Sequence, residues 1–134
     1  MLSTLRRLPQ GHNFVKSGHW QKQSPLLRRS LAGKRLDILG LGRIGSAIVS
    51  RAEAFGMDIA YTNRSPRDDV SCTFEPAQQT LASWSDVLTV AAGGSPDMQA
   101  LVDDSVLAAL DPEGVIINVR RGIHIDESAL NSQA

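Results

Sequence analysis

The stretch Gly40-Leu41-Gly42-Arg43-Ile44-Gly45 can hold an anion with main chain alone. Gly40 permits a tight turn, Gly42 lets a phosphate approach the backbone, and Gly45 lets a helix pack close to a strand. The chemistry requires a strand before the turn and a helix after it. The free N–H groups and positive dipole end of that helix then face the anion. Both neighbours are present: Arg35-Leu36-Asp37-Ile38-Leu39 is an apolar run, and Ser46 to Phe55 is amphipathic. A glycine pattern alone also fits a structural turn in some other α/β protein. The flanking elements are the context that favours a pyrophosphate site.

A second group, Asn63-Arg64-Ser65-Pro66-Arg67, follows the next apolar run. Dinucleotide sites often place Asp or Glu here, accepting hydrogen bonds from the adenine ribose hydroxyls. With Asn63 instead, no carboxylate repels a ribose 2′-phosphate, and Arg64 offers that phosphate a planar bidentate donor. The loop points to NADP(H) over NAD(H). The alternative is a solvated polar turn whose arginines touch nothing.

A third group is Asn118-Val119-Arg120-Arg121-Gly122. Ligands of doubly wound sheets bind beyond the carboxyl ends of the strands. This segment is therefore expected at the same crevice as the glycine turn. An arginine there can bind a substrate carboxylate and polarise the neighbouring carbonyl as it takes hydride. A surface arginine pair on a loop fits the same spacing.

The positioning elements can be read along the chain. Met1 to Leu8 is expected to be helical, ending before Pro9, with Gln10 to Ser30 a polar connecting arm. Strands are expected at Lys34–Leu39, Met57–Thr62, Val70–Phe74, Asp86–Ala92 and Val115–Val119. Helices are expected from Arg43 to Phe55, at Pro76–Ser83, at Asp104–Leu110 and from Asp126. In the first of these, Ile44, Ala47, Ile48, Ala52 and Phe55 form the apolar stripe, and Gly56 sits where a C-cap belongs. Val106, Leu107 and Leu110 face inward on the later helix, and Gly93-Gly94-Ser95-Pro96 breaks the chain. Nearly continuous apolar strands alternating with helices argue for a parallel sheet covered on both faces. The fold class is α/β, a Rossmann-type doubly wound parallel sheet of about five strands.

Composition narrows the function. The 134 residues carry 14 basic and 14 acidic side chains, so no global field argues for nucleic acid. Aromatics make up only 4%, leaving few platforms on which bases could stack. No apolar run reaches the length of a membrane span. Cys72, the sole cysteine, can form neither an internal disulfide nor a cysteine metal cluster, which suits a reducing compartment. No metal site is expected. Met1 to Leu36 contains Arg6, Arg7, Lys16, Lys22, Arg28, Arg29, Lys34 and Arg35 and no acid. A basic surface arm leading into the first strand is favoured over a mitochondrial transit peptide. A cytoplasmic location is expected.

These residues together resemble the cofactor domain of the D-isomer-specific 2-hydroxyacid dehydrogenases, with the nearest likeness to NADP-preferring glyoxylate/hydroxypyruvate reductases. Phe14 to Trp20 is similar to the family's arm before the first strand. Ser30 to Gly45, then Arg51 to Met57, Leu101-Val102-Asp103, Asn118 to Gly122 and Asp126 to Leu130 carry the resemblance across almost the whole chain. It implies that Arg43 and Ile44 give backbone N–H groups to the pyrophosphate. Asn63, Arg64 and Ser65 would form the 2′-phosphate loop. Asn118, Val119 and Arg120 would border the cofactor, and Arg121 would be the catalytic arginine.

Two departures stand out. Arg120 occupies a position that is small in the family's Asn-x-small-Arg-Gly pattern. Gly93-Gly94-Ser95 replaces its Pro-x-Thr loop. The resemblance also implies a histidine acid/base motif paired with a glutamate motif beyond the arginine signature, and no such motif is found in this sequence. His124 is expected to pack or to support, and His12 and His19 lie in the arm. Residues 1–33 are thus expected to be an arm and 34–134 a partial cofactor domain. The chain is expected to be the central part of a longer two-domain enzyme that dimerises and acts on small 2-keto or 2-hydroxy acids. A non-catalytic dinucleotide-binding module is the competing reading. With no later strands to cover it, the fifth strand would be an open edge, favouring marginal stability or association.

Overall fold

The computed structural model describes residues 1–24, 29–93 and 101–133. Its helices are α1 (Leu2–Leu5), α2 (Leu8–Lys16), α3 (Arg43–Ala54), α4 (Gln78–Trp84), α5 (Asp104–Ala109) and α6 (Glu127–Gln133). Its strands are β1 (Arg35–Leu39), β2 (Asp58–Thr62), β3 (Thr73–Phe74), β4 (Val87–Val90) and β5 (Val115–Asn118). All pair in parallel in the order β3-β2-β1-β4-β5. The order reverses direction at β1, where β2 lies on one side and β4 on the other. A crevice opens at such a switch point.

Register determines what reaches that crevice. Leu39 pairs with Thr62 on one side and Val90 on the other, and Val90 pairs with Asn118. Four strands therefore end in one row, and the residues that follow them, Gly40, Asn63, Ala91 and Val119, emerge along one rim.

The strand period of two splits the core into two layers. Leu36, Ile38, Val49, Ala52, Tyr61 and Val87 pack on one face, together with Leu5 and Leu31. Leu39, Leu88 and Val90 pack on the other, with Ala82, Val102, Val106, Leu107 and Ala129. Asp37, between Leu36 and Ile38, is 0% exposed, and neither carboxylate oxygen has a hydrogen-bond partner among the described residues. Burial pushes its carboxyl up to about 8. At the other end of the strands, Asp86 receives bonds from Lys34 Nζ at 3.0 Å and from the Arg35 backbone at 2.9 Å. Burial raises the Asp86 carboxyl, but the bonds from Arg35 and Lys34 outweigh it and hold it at about 2.

Several sequence expectations need correction. Helix does not end before Pro9. It breaks at Arg7, which has a φ of 49°, and α2 runs on through Lys16 inside the presumed arm. Pro9 lies in the first turn, where a missing N–H costs no helical bond. Of the expected α3 stripe, Ala52 is buried and Ile48 packs against the core, but Gly45 and Val49 complete the buried face and Ala47 and Phe55 lie outside it. Ile44 is 42% exposed and Phe55 44%. Gly45 must lie against β1, and that contact sets the rotation of the helix. β3 is two residues long, and a short 3₁₀ turn, Gly122–His124, follows β5.

The end of α3 agrees with expectation. Gly56, with a φ of 68°, donates to Glu53 O at 2.9 Å, and Met57 N–H reaches Ala52 O at 3.3 Å. These two bonds close the helix in a glycine C-cap. The expected break at Gly94–Pro96 lies outside the described residues. Among those described, no helix is long and apolar enough to cross a membrane, and no group of three His, Cys, Asp or Glu could hold a metal ion.

Candidate functional site

The floor of the site is the turn from β1 into α3. Gly40 has a φ of 96°, and its N–H donates to Thr62 O at 3.0 Å. A Cβ there would overlap the Cα and N of Ala92. One at Gly45 would come within 2.5 Å of Gly40 O and 3.1 Å of Ile38 Cγ2. One at Gly42 would meet nothing within 4 Å. Gly40 and Gly45 therefore serve the fold, while Gly42 faces open space. Gly42 is also the N-cap of α3 and supplies no side-chain cap. The first N–H groups of that 12-residue helix are thus directed at whatever fills the cleft.

The second wall is the loop after β2. Asn63 Oδ1 accepts from Leu41 N–H at 2.7 Å, fastening this loop to the glycine turn. Arg67 makes a second fastening: its Nη1 donates to Leu41 O and to Ser46 Oγ, both at 2.9 Å. Its Nε donates to Asp69 Oδ1 at 2.9 Å, and its N–H to Tyr61 Oη at 2.7 Å. The hydrogen bond between them raises the Arg67 guanidinium further and lowers the Asp69 carboxyl. Arg67 is thus neutralised and occupied. Arg64 and Ser65 are exposed and make no hydrogen bond or ion pair among the described residues. Sequence reasoning placed Arg67 in the loop but missed its role as a pin. The Arg67-x-Asp69 spacing was the available signal.

The third wall follows β4 and β5. Asn118 Oδ1 accepts from Arg120 N–H at 2.8 Å, and its Nδ2 donates to Arg121 O at 3.1 Å. Arg120 Nε reaches Ala92 O at 3.3 Å. Its guanidinium fills the space a Cβ would take at Gly93. Arg121 is exposed and serves as the N-cap of the Gly122–His124 turn.

These walls enclose a cleft of about 820 Å³. Of the residues singled out in the sequence, Gly40, Gly42, Arg43, Ile44, Asn63, Arg64, Ser65 and Arg120 line it; Gly45, Asn118, Val119 and Arg121 do not. Among the described residues its lining contains Arg43, Arg64 and Arg120, the Asp69-paired Arg67, and no Asp or Glu. In a chain of zero formal net charge, this concentrates positive potential in one place and favours a polyanion. None of His12, His19 and His124 lines the cleft; His124 is 4% exposed and lies elsewhere.

Comparison with known proteins agrees with this geometry. The sequence pattern of the D-isomer specific 2-hydroxyacid dehydrogenase NAD binding domain matches residues 1–133. The chain is 40% identical over 132 residues to a 2-ketogluconate reductase of Gluconobacter oxydans, covering 98% of this chain and 43% of that protein. It is 42% identical over 130 residues to glyoxylate/hydroxypyruvate reductase A of Arabidopsis thaliana, covering 97% and 42%. Among solved structures, it superposes on the NADPH-dependent glyoxylate/hydroxypyruvate reductase of Sinorhizobium meliloti, in complex with NADP and malonate, with a TM-score of 0.89. The identity is 43%, over 98% of this chain and 42% of that one. The chain thus spans about two-fifths of the length of the relatives it matches. From its glycine turn, its strand order and this match over nearly every residue, the chain belongs to the D-isomer specific 2-hydroxyacid dehydrogenases, as their NAD-binding domain.

Proposed function

We propose that this chain forms the cofactor-binding part of an NADPH-dependent reductase of 2-keto acids of the glyoxylate and hydroxypyruvate type. The observation that carries the reading is the unpaired Arg64 beside Asn63, on a cleft with no acidic lining among the described residues. The Sinorhizobium relative, similar over nearly the whole chain, is NADPH-dependent. Backbone N–H groups of Arg43 and Ile44, at the open N-terminus of α3, would take the pyrophosphate. Arg64 and Ser65 would take the 2′-phosphate. The bound dinucleotide supplies hydride to the keto carbon. Arg121 would hold the carboxylate or polarise the carbonyl, its main chain set by Asn118.

Titration of NADPH and NADH into the chain tests this. NADPH should bind about tenfold tighter or better, the order of a charge-assisted bidentate contact. Equal affinities would sink the 2′-phosphate assignment. Arg64→Ala should weaken NADPH selectively, and an equal loss for NADH would sink it too.

A second reading, dinucleotide binding without turnover, is favoured by one observation: among the described residues no histidine lines the cleft. It predicts NADPH binding by this chain with no reduction of hydroxypyruvate. Enzyme-like turnover by the chain alone would exclude it.

A further inference from the structure

We propose that Arg120 makes the cleft discriminate between the two redox states of the dinucleotide, favouring the reduced form. The inference rests on the reading of the cleft as an NADP(H) site.

A dinucleotide lies across a switch-point crevice, with one nucleotide on each side. Asn63 to Ser65, after β2, are placed to receive the adenosine 2′-phosphate, and Gly42 the pyrophosphate. The nicotinamide half then falls to the remaining wall, Ala91 to Gly93 and Arg120, beyond β4 and β5. The Arg120 guanidinium is held at this end. Its Nε donates to Ala92 O at 3.3 Å, and its backbone N–H to Asn118 Oδ1 at 2.8 Å. It lies where Gly93 lacks a side chain. Among the described residues, no Asp or Glu lines the cleft to neutralise it.

The oxidised nicotinamide ring carries a positive charge and the reduced ring none, while the phosphates of the two forms are identical. A guanidinium at the ring end therefore repels only the oxidised form. Arg43 and Arg64 stand at the phosphates and act on both forms alike. The consequence is a cleft that holds NADPH more tightly than NADP⁺.

The test uses the full chain and three ligands: NADPH, NADP⁺ and adenosine 2′,5′-bisphosphate, which has no nicotinamide. The wild-type chain should bind NADPH about fivefold tighter than NADP⁺ or better, with the ratio shrinking as salt rises. Arg120→Gln should bring the ratio toward one while leaving the bisphosphate affinity unchanged, which also reports that the variant is folded. Arg120→Lys, which keeps the charge, should keep most of the ratio. Arg64→Ala should weaken all three ligands and leave the ratio intact. An unchanged ratio in Arg120→Gln overturns the proposal. So does an equal loss of all three ligands in that variant, which would make Arg120 a phosphate contact. If none of the three binds the wild-type chain, the NADP(H) reading itself fails, and this inference with it.

Discussion

The side-chain oxygen of Asn63 accepts a 2.7 Å hydrogen bond from the backbone N–H of Leu41, 22 residues earlier. Asn63, proposed to stand where a ribose-binding acid would, is therefore also a brace for the glycine turn. Asn63→Asp separates the two roles. A carboxylate can still accept from Leu41, so the turn should keep its shape. Its charge would face the 2′-phosphate, and like charges in contact cost several-fold to orders of magnitude in affinity. NADPH binding should fall about tenfold or more, with NADH binding unchanged or improved. Loss of both together would show that the brace, not the charge, dominates.

Gly40 and Gly42 should fail in different ways. Gly40→Ala meets the backbone of Ala92 and a φ of 96°. It should destabilise the fold by roughly 2–4 kcal/mol in urea unfolding. Gly42→Ala meets no protein atom within 4 Å. It should leave the unfolding midpoint unmoved and weaken dinucleotide binding, because the added methyl stands where a phosphate approaches. A Gly42→Ala chain that binds NADPH normally would place the pyrophosphate elsewhere.

Arg67 joins Leu41 and Ser46 to Asp69 and carries the loop that presents Arg64. Arg67→Ala should weaken NADPH binding about tenfold through loss of preorganisation, with faster hydrogen exchange in residues 63–69. Asp69→Asn should reproduce part of the effect. If Arg67→Ala leaves loop exchange unchanged while lowering affinity, Arg67 is a direct ligand instead.

Asp37 predicts an unusual pH dependence. Its carboxyl is raised from 3.8 to about 8 by burial, so between those values the folded chain holds a proton that the unfolded chain has released. Stability from this group is full below about pH 4, falls as pH rises, and levels above about 8, a loss on the order of 5 kcal/mol. Asp86 acts oppositely and only in acid: its carboxyl is lowered to about 2, so its contribution is lost as pH falls from about 4 toward 2. Asp37→Ala should raise stability at pH 8 by more than about 2 kcal/mol and flatten the profile between pH 5 and 8. Unfolding curves at three pH values would decide it.

Much of this molecule is legible without its structure, and for a local reason. The glycine turn, its strand and its helix are set by residues within about twenty positions of one another, and backbone sterics act at that range. The alternation of apolar runs with amphipathic ones likewise suffices for a parallel α/β sheet. The cap at Gly56 follows from a single residue type. What stayed hidden depends on contacts between distant segments. Pro9 reads as a helix end but lies in the first turn of α2. The rotation of α3 is set by how closely Gly45 meets Ile38 and Gly40. Spacing cannot show that Arg120 lines the cleft while Arg121 caps the neighbouring turn. That choice depends on the pairing of Asn118 with Val90 and on the two bonds Asn118 makes to the residues after it. The sequence by itself determined that a strand, a glycine turn and a helix would form in that order. Only the tertiary structure decided which charged side chains surround it, because strand register alone brings residues from the ends of β1, β2, β4 and β5 to one rim.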